Sequence, residues 1–358
     1  RISCSVGHDH ANFTAQQDLF ELINICVMSV FYFNIPWIID QSEYNCSARS
    51  LSEWNSRGKV NTAQGIYYTV SGSIFMVLYI LCLIGMVRGK LLKIPCYRLM
   101  FFNGIIDNMD LLVGSFITAY FDFTGAVFCS SIGLNWFAGY FSWCVWFGAS
   151  FNCMVLALNR VVEMIPSANG FRFLFEGKLL FLWMVLSLVL MAILPFISRT
   201  HPYNSMVGTY IMSPVITDNA TQESSRFAQF LVPSYNVFLV FVLLTLYSSL
   251  CFTMIKMRRL VKRGNYKLQI QLFTQALFIC STTAMAALLY CWVGFFPAPP
   301  EMAIATHILW QFSHGVHGIM YLCFNRQIRG EVLRLFGMKK QQLTRSVVTI
   351  QSTDRRRL

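Results

Sequence analysis

Lysine and arginine are sorted into alternate gaps between seven long apolar stretches of this chain. The gaps after the first, third and fifth stretches and the segment after the seventh hold 4, 3, 6 and 9 of its 28 Lys and Arg residues. Basic residues beside a hydrophobic span resist translocation and therefore mark the cytoplasmic side of a membrane. The pattern predicts seven membrane helices with the N-terminus outside and the C-terminus inside. The stretches are 66–87, 99–121, 129–157, 179–197, 227–255, 268–296 and 304–324.

Composition favours a single membrane domain over soluble domains. Apolar residues make up 56% of the chain and charged residues 12%, whereas soluble domains carry roughly 25% charged residues. A membrane helix needs about 20 mostly apolar residues, so seven spans and their loops fill residues 66–324. The net charge is +12, and the basic residues lie in the gaps that membrane topology assigns to the cytoplasm. No motif that combines aromatic and basic residues for nucleic-acid binding accompanies them. We predict an all-α seven-helix bundle that contacts the lipid bilayer and no nucleic acid.

Three further segments flank the predicted bundle. Residues 1–65 form an extracellular N-terminal segment. Residues 325–338 form an amphipathic eighth helix on the inner leaflet, because Ile328 and Val332 recur at helical spacing beside several arginines. Residues 339–358 are rich in Ser and Thr, and we expect a disordered cytoplasmic tail there.

The hydrophobic segment 19–39 lies outside the count of seven. It is long enough to span a membrane, but Glu21, Asn24, Asn34 and Pro36 interrupt it. It can be an ectodomain or interfacial segment, a membrane segment, or the remnant of a signal peptide that lacks the usual basic n-region. The sequence leaves these three alternatives open.

Three Asn-x-Ser/Thr sequons agree with the predicted orientation. Asn12, Asn45 and Asn219 all lie in segments predicted to face outside, where N-glycosylation occurs. The 12 cysteines contain neither a Cys-x-x-Cys pair nor a Cys/His cluster with zinc spacing. We therefore predict a glycoprotein without a metal site.

Two aspartates fall inside the second span. Asn103, Asp107, Asp110 and Gly114 follow each other at intervals of 4, 3 and 4 residues, which puts them on one stripe of a helix. Charge within hydrocarbon is costly, so such residues normally face the bundle interior. The aspartates must be protonated, hydrated, bound to a cation, or paired with a histidine of the seventh span. We predict either a switch sensitive to protons or sodium, or a packed polar cluster, formed by Asn103, Asp107, Asp110 and His317, with His314 as a second partner.

The outer half of the bundle is the candidate ligand pocket. Four aromatic residues form a stripe on the third span, and polar and aromatic residues of the sixth and seventh spans can face them. An apolar cavity with a few polar groups suits a small odorant-like molecule, although aromatic stripes also form lipid belts and cores. The candidates are Trp136, Tyr140, Trp143, Phe147, Tyr290, His307, Trp310, Gln311 and His314.

Seven spans with this orientation are the topology of G-protein-coupled receptors, and an ordered set of short motifs resembles one family of them. The chain is similar to the nematode serpentine chemoreceptors of class T (Srt) over roughly 44–330. The motifs are Tyr44-Asn45-Cys46-Ser47, Glu53-Trp54, Gly72, Leu78-Tyr79-Ile80, Pro95-Cys96-Tyr97-Arg98-Leu99-Met100, Asp107, Leu158-Asn159-Arg160, Leu174-Phe175-Glu176-Gly177-Lys178, Trp310-Gln311, His314-Gly315, Tyr321-Leu322, Asn325-Arg326 and Ile328-Arg329.

The resemblance implies a chemosensory receptor of the plasma membrane, in the cilium of a sensory neuron. Its partners would be a small-molecule ligand and a heterotrimeric G protein, and it would not be an enzyme. We expect no catalytic residues, because no metal set or Ser/His dyad lies across adjacent helices. A channel or transporter subunit is the alternative, although the chain has no internal repeat and no paired broken helices.

The inner end of the bundle departs from the rhodopsin-like pattern. Asn159 stands where that pattern has an acid before the arginine. The guanidinium of Arg160 can bond helix carbonyls in the cavity that a G protein enters. A basic extension of the fifth span suits an acidic partner or lipid headgroups. The predicted coupling residues are Asn159, Arg160, Arg258, Arg259, Asn325 and Arg326.

Cys129 lacks the bridge partner that the rhodopsin-like pattern provides, because the loop between the fourth and fifth spans contains no cysteine. If Cys129 is oxidised, Cys46 is the available extracellular partner. That bridge would tether the N-terminal segment over the pocket.

Overall fold

The chain folds almost entirely into helices. A computed structural model describes residues 32, 33, 35, 38–257, 263–296 and 298–338. In these ranges a two-stranded antiparallel sheet pairs β1 (Tyr203–Asn204) with β2 (Thr209–Tyr210). The helices are α1 (Leu51–Ser56), α2 (Thr62–Arg88), α3 (Pro95–Thr124), α4 (Ile132–Met164), α5 (Gly177–Ile193), α6 (Ala220–Phe227), α7 (Leu231–Met257), α8 (Arg263–Phe295), α9 (Pro300–Phe324) and α10 (Arg326–Leu335). The predicted all-α architecture is confirmed.

Seven of these helices correspond to the seven predicted spans. Within the described residues, six of them are both long and apolar enough to cross a membrane: α2, α3, α4, α5, α7 and α8. The seventh, α9, has 25 residues, which is sufficient length. It is less apolar because one face carries His307, Gln311, His314 and His317, all of them buried. A polar face that is turned into the bundle is how a membrane helix holds such residues.

Helix α3 is longer than the predicted stretch 99–121. Pro95 occupies its first turn, where a missing N–H costs nothing, and Gly125 ends it in the left-handed region at φ 64°. Between these ends, Leu112–Ile117 is π-helical, and the Thr118 hydroxyl donates to the carbonyl oxygen of Val113 at 2.9 Å. Such π-helical turns occur frequently at functional sites.

The close approach of α9 to α2 depends on a glycine. A Cβ atom on Gly318 would lie 3.0 Å from the backbone N and Cα atoms of Tyr79. Backbone cannot move aside as a flexible side chain can, so a larger residue at 318 would push the two helices apart. Small residues at helix interfaces allow this kind of contact in membranes. The contact brings the tyrosine of α2 next to the histidines of α9.

Residues 38–61 cover the outer end of the bundle. A disulfide joins Cys46 to Cys129, three residues before α4 begins, and the indole Nε1–H of Trp54 donates to the carbonyl oxygen of Cys46 at 3.0 Å. The buried ring of Tyr44 packs edge-on against Trp136, with ring centroids 4.7 Å apart. We call residues 38–61 the outer cap.

Two carboxylates connect the outer cap to the loop between α5 and α7, and each of them binds two arginines. Glu43 lies 2.8 Å from Arg199 and 3.0 Å from Arg226. Asp218 binds Arg49 and lies 2.7 Å from Arg57. Burial alone would raise the pKa of Glu43, but hydrogen bonds from Arg226 and Arg199 outweigh it and lower the pKa. The cap therefore depends on the charged form of Glu43.

We expect Glu43→Gln to destabilise the outer cap at neutral pH and to have little effect in acid. Because the folded state lowers the pKa of Glu43, its stabilisation is complete above the usual pKa of 4.5 and is lost as the pH falls through the folded value. The thermal stability of purified wild-type and variant receptor, measured from pH 7 to pH 3, should therefore converge. Glu163→Gln, which removes an exposed contact of 4.0 Å with Arg172, is the control. Curves that stay parallel would contradict the prediction.

Helix α10 follows the last span after one capping residue. The side-chain oxygen of Asn325 accepts from the backbone N–H groups of Gln327 and Ile328 at 3.2 and 3.1 Å. Ile328 and Val332 are buried, and Val332 packs beside Gly85 of α2. Phe336, by contrast, is exposed. The helix at the predicted position 325–338 thus packs part of its apolar face on the bundle itself.

Several predictions fall outside the described residues. They concern Asn12, most of the segment 19–39, Arg258 and Arg259, and the tail 339–358.

Candidate functional site

The carboxylate of Asp107 is the centre of a buried hydrogen-bond cluster. It lies on α3, is fully buried, and accepts from the hydroxyl of Tyr79 on α2 at 2.6 Å. The amide of Asn103, one turn earlier, donates at 2.5 Å. From α9, the Nδ1 atoms of His314 and His317 lie 2.8 and 2.7 Å from the two carboxylate oxygens. We call these five residues the Asp107 cluster.

The Asp107 cluster also reaches the helix that lines the outer pocket. The amide of Asn152 on α4 donates to the side-chain oxygen of Asn103 at 3.1 Å. It also donates to the carbonyl oxygen of Leu99 at 3.2 Å. One carboxylate thereby connects four helices: α2, α3, α4 and α9. A buried hydrogen-bond network of this kind holds such helices in one arrangement, although the Nε2 atoms of His314 and His317 have no hydrogen-bond partner in it.

The donors around Asp107 oppose both a sodium ion and a proton on the carboxylate itself. Each histidine must carry its hydrogen on Nδ1 to donate to a carboxylate, so the carboxylate oxygens already face N–H and O–H donors. Hard cations such as sodium need oxygen ligands instead. Next to the cluster, Asp110 Oδ2 lies 3.3 Å from His314 Nε2, but neither atom makes a well-oriented hydrogen bond. A second proton on His314 would supply a donor for Asp110.

The outer half of the bundle contains a cavity of about 300 Å³. Its walls come from the loop after β2, the outer end of α7 and the outer part of α8. A deeper extension of about 40 Å³ shares five of its lining residues and ends at Trp146 and Trp310. The shared residues are Trp143, His201, Tyr210, Asn236 and Tyr290. We call both parts together the outer cavity.

Three of the nine predicted pocket residues line the outer cavity: Trp143, Tyr290 and Trp310. The other six have different neighbours. Trp136 and Tyr140 pack under the outer cap, and Phe147 packs on Tyr235, with ring centroids 4.5 Å apart. His307 Nε2 lies 3.0 Å from the carbonyl oxygen of Gly114, Gln311 donates to Ser115 at 2.9 Å, and His314 belongs to the Asp107 cluster.

The aromatic residues of the predicted stripe on α4 have different neighbours, because different elements pack on this helix at different depths in the bundle. The outer cap covers its beginning, and α7 covers its inner part. A helical period reports which residues share a face, but not what packs on that face.

Sequence reasoning missed most of the loop contribution to the outer cavity. His201 and Tyr210 lie in the loop between α5 and α7, which has no periodic pattern. Asn236 accepts from the indole Nε1–H of Trp146 at 3.0 Å, and Trp146 lies three residues after Trp143, off the chosen stripe. The spacing of these two tryptophans on one helix was the available signal.

The floor of the outer cavity contacts the Asp107 cluster. The ring of Trp146 lies 5.9 Å from that of His314, and the ring of Trp310 lies 6.3 Å from it, both edge-on. A molecule in the outer cavity would therefore be two side chains away from the buried carboxylate, one of the tryptophans and His314.

The inner side of the Asp107 cluster faces a second, smaller cavity. Asn103 and His317 line a space of about 30 Å³ together with Arg160 of α4 and Gln275 of α8. Asn159 is buried, and its side-chain oxygen has no hydrogen-bond partner. The ion pairs of the described residues do not include Arg160, and the nearby Glu163 lies 4.0 Å from Arg172 instead.

The remaining predicted coupling residues divide into two groups. Asn325 is buried as the cap of α10, and Arg326 beside it is exposed. Arg258 and Arg259 lie outside the described ranges. Within those ranges, no three His, Cys, Asp or Glu side chains are arranged to hold a metal ion.

Comparison with known proteins identifies the fold and the family. The sequence model of the family described as "Serpentine type 7TM GPCR chemoreceptor Srt" matches residues 28–345. Serpentine receptor class T-55 of Caenorhabditis elegans is 24% identical over 298 residues, which cover 82% of this chain and 80% of that protein. The crystal structure of squid rhodopsin superposes with a TM-score of 0.57 at 12% identity, over 82% of this chain and 91% of that one. The predicted seven-transmembrane fold and the predicted family are confirmed.

Proposed function

This chain belongs to the Srt family of serpentine seven-transmembrane chemoreceptors, and we propose that it binds a small extracellular molecule in its outer cavity and signals to a heterotrimeric G protein. The main support is the position of the Asp107 cluster. It lies between the outer cavity and the inner cavity of Arg160, and it contacts lining residues of both. It therefore provides a physical connection from ligand to partner.

The proposed mechanism is a shift between two arrangements of the bundle. A ligand that contacts Trp146 or Trp310 changes the packing of these rings against His314. His314 is one turn from Trp310 on α9, so the change reaches the carboxylate of Asp107 and the helices it connects. A ligand shifts such an equilibrium only by its difference in affinity for the two states. A G protein that binds one of these states completes the coupling.

A proton is the proposed co-ligand of this switch. His314 lies between Asp107 and Asp110, so a second proton on its ring changes the charge of the cluster without any rearrangement of the chain. If Asp107→Asn reached the cell surface and signalled unchanged across pH and sodium concentration, the Asp107 cluster would be a packed polar core only.

The outer cap is the proposed extracellular face. Asn45 and Asn219 are both exposed, and the ion pairs of Asp218 with Arg49 and Arg57 put the two sequons at the same end of the bundle. The gaps between spans that are richest in Lys and Arg, as far as the structure describes them, lie at the opposite end of the bundle. A cytoplasmic face carries such an excess of basic residues. With the chemoreceptor family, this supports a location in the membrane of a sensory cilium.

We expect both described sequons to carry glycans. Ser47→Ala and Thr221→Ala should each remove one step of the mobility shift that a glycosidase produces on a gel. Thr221 is preferable to Asn219 as the changed residue, because the Asn219 side chain caps α6 and its loss would also weaken that helix. Full-length receptor that is unaffected by the glycosidase would contradict the proposed orientation.

We expect Arg160→Ala to reduce G-protein signalling roughly tenfold or more, which is the cost of a lost charge-assisted hydrogen bond. Surface expression and ligand binding should stay close to wild type, because the outer cavity lies at the other end of α4. The measurement is GTPγS binding in membranes that contain the receptor and G protein. Arg172→Ala, a half-exposed arginine at the same end, is the matched control and should signal normally. Equal signalling by both variants would remove Arg160 from the coupling site.

The experiment that tests the function itself is a calcium assay with an odorant panel. The full-length chain is expressed with a promiscuous G protein, and responses are compared with those of cells that lack the receptor. A ligand-evoked current that persists when the G protein is blocked would favour a channel instead. Cleavage of the C-terminal tail by an external protease would contradict the receptor orientation.

A further inference from the structure

We propose that the outer cavity selects uncharged molecules that carry a hydrogen-bond acceptor, and that the Nε2–H group of His201 is the donor for that acceptor. This inference rests on the proposed function, because it names the chemical class of ligand for the same cavity. Ketones, aldehydes, esters and lactones with a hydrocarbon part belong to this class.

The tautomer of His201 follows from its contact with Trp143. The indole Nε1–H can only donate, and it donates to Nδ1 of His201. Nδ1 is therefore the acceptor of the ring, and in a neutral imidazole the hydrogen must then be on Nε2. The two rings stand edge-on, with centroids 4.3 Å apart, so this contact also fixes the orientation of the imidazole.

The Nε2 atom makes no well-oriented hydrogen bond within the described part of the protein, although the backbone of Arg199 also approaches the ring. His201 is 4% exposed, and it lines both parts of the outer cavity. Its Nε2 is a buried nitrogen without a hydrogen bond. A buried donor that lacks an acceptor costs about 1–3 kcal/mol, and a ligand acceptor would recover that cost. The arrangement thus favours a ligand that hydrogen-bonds over a hydrocarbon of the same shape.

The same cavity disfavours ions. Its lining residues in the described chain include aromatic, aliphatic and neutral polar side chains, with no Asp, Glu, Lys or Arg among them. Burial lowers the pKa of His201 to about 3, so its ring is neutral at physiological pH. The nearby carboxylate of Glu223 already accepts from Ser213, from the backbone of Ile216 and from Thr217. A charged ligand would therefore be buried without a counter-charge, which is costly.

Three other polar side chains of the lining already have a partner in the protein. The hydroxyl of Tyr290 lies 3.4 Å from that of Thr209, and the hydroxyl of Tyr210 lies 3.4 Å from that of Thr118. Asn236 accepts from Trp146. The volume of about 300 Å³ is at the lower end of ligand pockets. These features together indicate a small, mostly apolar molecule that is held by one main hydrogen bond.

The test measures binding to purified full-length receptor in nanodiscs, without a G protein. The probes are four molecules with one chain length and different head groups: 2-octanone, octane, octanoate and octylammonium. 2-Hexanone and 2-decanone vary the length. Apparent affinities come from the concentration dependence of the thermal shift. We expect 2-octanone to bind about tenfold more tightly than octane and the two ions to bind more weakly than the ketone.

The variants His201→Phe and His201→Gln separate the donor from the shape of the site. Phenylalanine removes the donor and should abolish the advantage of the ketone over the alkane. Glutamine keeps an N–H donor near the same position and should preserve most of it. If His201→Phe does not fold, the comparison is Trp143→Phe against Trp143→Phe/His201→Phe. That pair avoids leaving the indole donor without an acceptor.

Three results would overturn the proposal. They are a ketone advantage that survives His201→Phe in either background, tighter binding of octanoate or octylammonium than of 2-octanone, and no binding by any ketone of the series. None of them concerns the G protein. Conversely, normal ketone binding with no ligand-dependent nucleotide exchange would count against the proposed function and leave the ligand class intact.

Discussion

Asp107→Ala is expected to lower the free energy of unfolding by about 3–5 kcal/mol and to remove most of the receptor from the cell surface. The carboxylate is the shared acceptor for Tyr79, Asn103, His314 and His317. Alanine would leave all four donors buried without it. The measurements are surface labelling of tagged receptor and the thermal stability of the detergent-solubilised protein.

Two milder variants show whether the cluster itself is responsible. Asp107→Asn keeps one acceptor oxygen and should destabilise less than alanine. Asp110→Asn should have the smallest effect, because the oxygens of Asp110 lack well-oriented hydrogen bonds although the residue is equally buried. If Asp107→Ala were no worse than Asp110→Asn, the four contacts would not be what stabilises the bundle.

Oxidation of Cys153 and Cys280 to a disulfide is expected to abolish signalling. Their Sγ atoms, on α4 and α8, lie 2.9 Å apart in the buried core. The inner cavity beside them, of about 30 Å³, is far too small for part of a partner protein. The proposed binding of a G protein near Arg160 would therefore require α8 to move away from α4, and a covalent bond would prevent that movement. Copper phenanthroline supplies the oxidant, which takes two electrons as the thiols lose their protons.

The signal to measure is ligand-dependent nucleotide exchange before oxidation, after it, and after reduction with dithiothreitol. Mass spectrometry of the cysteine-containing peptides establishes how much receptor is bridged. Cys153→Ser and Cys280→Ser each remove one thiol and should make signalling resistant to the oxidant. Normal signalling by fully bridged receptor would mean that α4 and α8 stay together during activation.

Most of the Asp107 cluster could be predicted from the sequence, because the cost of charge in a membrane and the spacing along one helix determine where its residues lie. Charge is so costly in a membrane interior that the aspartates had to face inward, and helical spacing identified Asn103 as a neighbour. The histidines of the seventh span were the available partners. The sequence left four alternatives open for Asp107: protonation, hydration, a bound cation or pairing with a histidine. The choice among them depends on the distances between helices.

The outer cavity could be predicted much less well from the sequence, because its shape depends on how separate helices and loops pack together. His201 comes from a loop whose conformation has no period. Asp122 was also missed, since the second apolar stretch was ended at residue 121. In the structure it is buried on α3 and accepts from the hydroxyl of Tyr203 at 2.6 Å. A hydropathy boundary cannot show that a helix continues for one more turn with a polar residue facing inward.

The π-helical turn of α3 resets the angular phase of that helix. An α-helix turns about 100° per residue, so Asp110 and Asp122, twelve residues apart, would differ by about 120° on a regular helix. The π turn contains one residue more than an α turn, so the angular difference between the two acids is about 20° instead. Both carboxylates can then face the protein, one toward His314 and the other toward Tyr203. A regular α-helix through the same residues would instead turn one of the two carboxylates toward lipid, whereas deleting one residue within 112–117 would restore a regular helix and keep the difference at about 20°. The π turn therefore accommodates one additional residue between the acids without moving either acid off the face that points into the protein.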